Sequence, residues 1–576
     1  MALTWYGNQT SDESCNLGPL ALLWPVLERM SVSSIIDQHL PVDAQAEFSH
    51  GRVLSLLLAA RLSNPIALSN VAGWAARTGA DILWDMPIEK MNDDRLGRSL
   101  DAFFQQRHSI LAGIALHVAR EFDLGLEELH YDPTHIVFHG AYDGSTPRPE
   151  GPPDRSDAAQ PAAHITVGRK MSDAAGDVKL VHAGLCVAVD RFGGVPVFGH
   201  TVSGNQNGHT AVAEQFALLK THLRPRRLLM ISDRGTFSAG HLARLDTEGF
   251  HALCSVPWND FRSLFHAHRR QLQWKQAGFL SIEQKRRRDA NSTLPREHYE
   301  LAVLRHELVD RESGRTIPCR VIFVFSTADQ KVTRRTRERT VAAIRQGLET
   351  LAASVAAGRR NTDPASVERR VAKLFGRRSA AAYFTYRLVP LSEAERATRP
   401  PPQRGCRRPT HRFEFEYDAA RAAADEADDG ISALVTTAPR ELSADELFTR
   451  FKQQNESELA NHQFKTPLAV HPVFLKSPQR VEALVFLMMI ALTAWSILQR
   501  IYRQAVPAEA PPREQRTTTE TLLRTFSTYT LIIQQTRFGR IVHPTRLTLR
   551  QREVLNHLGF RTPAQILCSH LPRAPD

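Results

Sequence analysis

Apolar positions recur at helical spacing through the first fifth of the chain. Leu54, Leu57, Leu58 and Leu62 share one helix face. Ile66 to Ala76 forms a second amphipathic stretch, with Gly79 as its stop signal. Asp93 and Asp94 open a third helix carrying Leu96, Leu100, Phe103 and Phe104, and that acidic start suits the positive end of a helix dipole. From residue 126 the period changes. Leu129 to Asp132 alternates as a short strand, and Ile136 to Phe138 either continues it or begins its partner. Leu185 to Val189 and Val195 to Phe198 read as strands joined through Asp190-Arg191-Phe192-Gly193-Gly194, a hairpin signal. A helix from His209 to about Leu223 follows, then the apolar strand Leu228 to Ile231, a helix, and the strand Ala252 to Val256. Much later, Ser443 to Glu446 is a capping-box pattern, and residues 443–465 read as one helix.

These patterns divide the chain. Residues 1–125 are expected to be a helical domain with a candidate DNA-binding surface. Residues 126–257 are the first part of an α/β core and 431–503 its second part. Residues 258–430 form an insertion with some β-structure, and 504–576 a tail with a short helix near Arg550 to Leu558. Gly, Pro and Asp are frequent between His139 and Gly176, which predicts a loop. Val481 to Leu498 is apolar except for Glu482, Thr493 and Ser496, and nearly long enough to span a bilayer. We expect a core helix there, and no membrane association.

Composition narrows the class. Hydrophobic residues make up 42% and charged residues 23%, which excludes a disordered or fibrous chain. The closest two of the six cysteines, Cys254 and Cys319, are 65 residues apart, so no Cys-x-x-Cys metal or redox motif exists. With a polar, acidic stretch from Met1 to Ser14 and no secretory signal, a cytoplasmic protein is expected. Charge is uneven. Residues 262–412 hold 33 Lys and Arg against 14 Asp and Glu, a net of +19 set against +12 for the whole chain. That bias, including the run Lys285, Arg286, Arg287, Arg288, points to a polyanion.

Two carboxylates fall at predicted strand ends: Asp132 after the first strand and Asp233 after the fourth. The ends of strands in an α/β sheet are where sites commonly form. Glu458 lies on the later helix, with Phe451 and Lys465 seven residues to either side and Gln454 one turn before it. An acid with a cation two turns away can bind a metal and a phosphate together.

With these residues the chain resembles DDE transposases of bacterial insertion sequences, in the cut-and-paste group whose last acid lies in a Tyr-x2-Arg-x3-Glu-x6-Lys signature. The matching stretches are His130-Tyr131-Asp132-Pro133-Thr134, Val195 to Asn207, Ile231-Ser232-Asp233-Arg234-Gly235 and Phe451 to Phe474, with Asn92 to Arg98 similar to the group's leader domain. The resemblance spans roughly residues 15 to 500 and implies an RNase H-like catalytic core with a basic, β-containing insertion. It implies that Asp132, Asp233 and Glu458 hold two Mg²⁺ ions, Mn²⁺ substituting, and that Lys465, Gln454, Phe451 and Arg234 face DNA. The implied activity is cleavage at the terminal inverted repeats of its own element and transfer of the 3′-hydroxyl to target DNA, by a homodimer on the DNA. Two positions depart from the signature. Phe451 lacks the Tyr hydroxyl, and Gln454 lacks the charge and fork of Arg. The alternative is therefore a catalytically impaired, transposase-derived DNA-binding protein.

Overall fold

The computed structural model describes residues 12–41, 46–147, 161–168, 178–206, 208–281, 284–285, 297–359, 362–399, 406–466, 475–536, 539–562 and 565. The chain forms two compact units, one of Met1–Ser255, Glu307–Cys319 and Val435–Asp576, the other of Val256–His306 and Arg320–Leu434.

The first unit is mixed α/β. Helices Leu20–Arg29, Val32–His39, His50–Ser63, Val71–Thr78 and α1 (Asp93–Glu121) make its N-terminal part. Asn92 caps α1 by accepting the Arg95 N–H at 2.8 Å. Gly79 ends Val71–Thr78 at φ 70°, the left-handed conformation that glycine adopts at no steric cost. The chain then enters a sheet. Strands β1 (Glu128–His139), β2 (Val178–Asp190) and β3 (Gly193–Ser203) form an antiparallel meander. Strands β4 (Leu229–Ser232) and β5 (His251–Val256) add in parallel on the other side of β1, giving the order β3-β2-β1-β4-β5. Helices α2 (Gly208–His222) and α3 (Ala239–Thr247) carry the two parallel connections.

The two apolar segments around Pro133 are one strand. Proline cannot donate to a ladder, and Pro133 falls just past the last parallel rung, Tyr131 opposite Ser232. The β2–β3 turn, Arg191-Phe192, agrees with the hairpin signal. Gly194 sits so close to Glu456 that an added Cβ would lie 3.0 Å from the Glu456 Cβ, and its N–H donates to Glu456 Oε2 at 3.1 Å.

The later part returns to this unit as α4 (Ala444–Lys452), α5 (Asn455–Lys465) and α6 (Pro478–Ala505). The expected single helix over 443–465 is broken. The Gln453 and Gln454 N–H groups bond three residues back, to Arg450 and Phe451, each at 3.0 Å, so one helix ends and a second begins. Helix α6 is long and apolar enough to cross a membrane by length and composition, and its apolar window is wholly buried inside the protein. It packs on β3 and α1. Its polar side chains find partners: Thr493 Oγ1 donates to the Pro196 carbonyl at 2.7 Å, Glu482 pairs with Arg107, and Arg500 pairs with Asp190.

The expectation of a tail after residue 504 is corrected. Leu531–Thr536 and Gly539–Pro544 form a hairpin whose first strand pairs with Asp12–Cys15, and the helix Leu549–Leu558 packs on α6.

The second unit has its own hydrophobic core. Ile344, Leu348 and Val355 of the helix Thr327–Ala356 meet Val367 and Val371 of Pro364–Phe375 and Phe384 and Phe413 of a two-stranded ribbon. That long helix begins at Thr327, well before its first buried apolar residue, Ile344. Its first turns carry the exposed Lys331, Arg334, Arg335 and Arg339 and no apolar stripe, so periodicity has nothing to register there.

Candidate active site

Strand register brings the first two acids together. Tyr131 and Ser232 are the last paired residues of the parallel ladder, so Asp132 and Asp233 are the next residues on adjacent strands. Neighbouring strands run about 4.8 Å apart. Beyond this point β1 continues along β2, while β4 ends and the chain turns. Asp233 steers that turn by accepting the Gly235 N–H at 2.9 Å. Thr236 Oγ1 fixes it from below by donating to the Asp233 carbonyl at 2.8 Å.

Helix α5 lies across the same strand. Gln454, at its start, donates from Nε2 to the Tyr131 carbonyl at 3.1 Å and accepts at Oε1 from His130 Nδ1 at 3.0 Å. Asn461, two turns on, donates from Nδ2 to Asp132 Oδ2 at 2.9 Å and to the Asp132 carbonyl at 3.3 Å. Glu458 lies between them on the same face, exposed, and its carboxylate takes no hydrogen bond or ion pair among the described residues.

Electrostatics ties the set together. Burial pushes the Asp132 carboxyl up to about 6, the Asn461 hydrogen bond opposes the shift, the Asp233 and Glu458 charges add to it, and Lys465 opposes it. All three acids and the lysine therefore share one electrostatic site. Lys465 is half-buried, and burial pulls its ammonium below the usual lysine value while Asp132 holds it up. The buried thiols of Cys186 and Cys254 are pushed up to about 12 by burial, which leaves them protonated and inert as nucleophiles at neutral pH.

The donor set is all oxygen, which suits a hard divalent cation. Among the described residues, however, no three His, Cys, Asp or Glu side chains stand close enough to hold an ion as they are. The chemistry of the donors fits Mg²⁺ and their present spacing does not close a site around it.

The other expected residues fall elsewhere. Gln454 is buried and both ends of its amide are engaged inside the protein, so it does not present itself to DNA. Phe451 is half-buried on α4, before the helix break, and does not share a face with Glu458. Arg234 is exposed in the turn after Asp233. Lys285 is exposed in the second unit, while Arg286, Arg287 and Arg288 lie outside the described residues. In that unit Arg262 pairs with Asp425 and Asp428, each at 2.7 Å, and Arg337 with Asp429 at 2.7 Å. Arg335, Arg339, Arg370, Lys373 and Arg377 are exposed with no carboxylate partner among the described residues. Trp258 and Trp274 pack edge-on against Phe265.

Sequence reading missed Asn461. Its signal was present: Gln454, Glu458, Asn461 and Lys465 follow one another at steps of four, three and four, a single helix face.

The shifted carboxyl makes stability depend on pH. An Asp whose folded value lies above its unfolded value of 3.8 holds a proton more tightly when folded, so its favourable contribution is full below pH 4 and is lost as pH rises through about 6. Without divalent cations, Asp132→Asn should therefore melt higher than the wild type at pH 8, by about 1–2 kcal/mol after allowing for partial solvent screening, and no higher at pH 4. Thermal denaturation at the two pH values checks this; an advantage equal at both would locate the strain elsewhere.

Comparison with known proteins adds little. Residues 13–116 match a family described as a domain of unknown function, DUF4277. No curated protein matches. Two solved structures to which the chain is similar are a pre-cleavage Mos1 transpososome and the Mos1 strand transfer complex. Each is 14% identical over 44% of this chain, covering 75% and 74% of those chains, with TM-scores of 0.14 and 0.13. A likeness that loose decides nothing about this chain.

Proposed function

We propose that the chain is a DNA transposase that binds the ends of its own insertion sequence, cleaves them, and transfers the 3′-hydroxyl to target DNA. The observation that carries this reading is the register of Asp132 beside Asp233, with Glu458 on the helix α5 that Gln454 and Asn461 tie to the same strand. The sheet order, three antiparallel strands followed by two parallel ones, supports an RNase H-like core, and the sequence resemblance to the DDE group suggests the chemistry.

In this reading Asp132, Asp233 and Glu458 hold Mg²⁺, which when bound supplies charge stabilisation to a phosphodiester transition state. The chain's own residues do the rest. Asn461 holds the Asp132 carboxylate in place, and Glu458 reaches the site from a helix fixed at two points. Lys465 offers a cation on the same face for a DNA phosphate. The exposed cations of the second unit supply the longer DNA contact.

The experiment is a cleavage assay on DNA carrying the element's inverted repeats, with and without Mg²⁺, beside a binding titration. Metal-dependent nicking at the repeat ends supports the reading. Binding without nicking would leave the impaired, DNA-binding alternative.

Binding itself should depend steeply on salt. If the second unit neutralises about six phosphates, affinity should drop about 10³-fold between 50 and 200 mM salt. Replacing Arg370, Lys373 and Arg377 with Ala should flatten the slope by two to three, at roughly 0.9 per phosphate. A slope unchanged in that variant would move the contact to another surface.

A further inference from the structure

We propose that Gln454 and Asn461 are positioning residues, a two-point carboxamide clamp that sets the register of α5 on β1 and so presents Glu458 to Asp132. The inference rests on the proposed function for its catalytic meaning, and on hydrogen bonds alone for its geometry.

Three consecutive residues of β1 are held. A carboxamide oxygen only accepts, so His130 Nδ1 carries the proton in its 3.0 Å bond to Gln454 Oε1. The other end of the same amide donates to the Tyr131 carbonyl at 3.1 Å. Asn461 Nδ2 then takes both the carbonyl and the carboxylate of Asp132, at 3.3 and 2.9 Å. The two amides are each only 7% exposed. They lie seven residues apart, about 10 Å of helix at 1.5 Å per residue. One contact would leave α5 free to pivot about it. Two contacts so spaced fix both its position along the strand and its rotation. Glu458, four residues after Gln454 and three before Asn461, then has one face to occupy, and its own carboxylate stays uncommitted.

The clamp gives the departure from the family signature a different meaning. Gln454 stands where that signature has Arg, which reads from sequence as a lost phosphate contact. In the fold, a guanidinium at this buried place has no acceptor for the His130 N–H, and it would bury a charge beside the Tyr131 carbonyl. Restoring the signature residue should therefore harm the protein. The clamp predicts that Gln454→Arg lowers the melting temperature of the full chain by several degrees without tightening DNA binding. A phosphate-contact role predicts an unchanged melting temperature and tighter binding.

Asn461 needs a readout that a merely structural residue would not move. We would titrate the full chain with Mn²⁺ alone, without DNA, and follow the free ion by its paramagnetic resonance signal. Asn461→Ala should weaken Mn²⁺ binding about tenfold while the melting temperature stays within a few degrees of the wild type. In an Asp132→Asn background the same substitution should change Mn²⁺ affinity no further, because the group it positions is gone. Wild-type Mn²⁺ affinity in Asn461→Ala overturns the clamp, as does a Gln454→Arg variant that melts normally and binds DNA more tightly. A wild-type chain whose Mn²⁺ binding ignores Asp132→Asn would instead sink the metal-dependent reading, and the Gln454→Arg melting temperature would still decide the clamp.

Discussion

Asp132→Ala should abolish Mg²⁺-dependent cleavage while leaving DNA affinity within a few-fold of the wild type. Asp132 is the centre of the site: it sits on the strand that both Gln454 and Asn461 grip, beside Asp233, and its carboxyl responds to Asp233, Glu458 and Lys465 together. A divalent ion offsets several kcal/mol of transition-state charge, and each 1.4 kcal/mol is tenfold in rate, so the expected loss is about 10³-fold or more. On the proposed reading the DNA contact lies with exposed cations of the other unit, so binding should be spared, or improve slightly as one negative charge near the phosphate disappears. The measurement is single-turnover cleavage next to a binding titration on the same preparation. Cleavage at the wild-type rate would remove Asp132 from the chemistry. Loss of cleavage and binding together would point to misfolding, and Asp132→Asn, which preserves the shape of the side chain, would separate the two.

The parts of this site that a single sequence exposes are those built from short-range patterns. Alternation placed β1, the hairpin turn placed β2 and β3, and both Asp residues could be named before any geometry was known, although Asp132 lies inside β1, past the end of its parallel ladder only, rather than at a strand end. What placed Asp132 beside Asp233 is a four-rung parallel ladder between segments about a hundred residues apart, and no local pattern encodes it. The helix break at Gln453-Gln454 was hidden for a related reason. Both residues are sound helix formers, and the interruption comes from tertiary bonds that draw the Gln454 amide to His130 and Tyr131. The C-terminal hairpin is the clearest loss. Leu531 to Thr536 is a six-residue strand with a polar second half, and its partner Asp12–Cys15 is four residues long at the opposite end of the chain. Asn461 is within reach of helical spacing, but an uncharged side chain gives no sign in sequence of a role at an acidic site, whereas in the fold a buried amide holds a carboxylate without adding charge.

Glu482→Ala should cost about 3–5 kcal/mol of stability, the largest folding effect we expect from a single substitution. Arg107 on α1 is fully buried, and its Nε lies 2.8 Å from Glu482 Oε1. The second oxygen, Oε2, accepts the Ala163 N–H at 2.5 Å. One carboxylate thus fastens three segments: the N-terminal helical part, the stretch before β2, and the apolar helix α6. Removing it takes a carboxylate away from a buried guanidinium in a low-dielectric interior and frees a buried N–H, and both losses cost stability. The cost should therefore exceed that of losing an exposed pair such as Arg98 with Asp94, worth about 0–1 kcal/mol. Glu482→Gln should cost less, since the amide oxygen still accepts from Arg107 while the charge is lost. The double variant Arg107→Met/Glu482→Leu should recover much of the stability, because a buried pair replaced by apolar side chains of similar volume no longer carries the desolvation penalty. Urea unfolding of the four proteins gives the comparison. A cost below about 1 kcal/mol for Glu482→Ala, or a double variant no more stable than the single, would show that the charge of Arg107 is screened in the fold. In that case α6 would be held by its apolar faces alone.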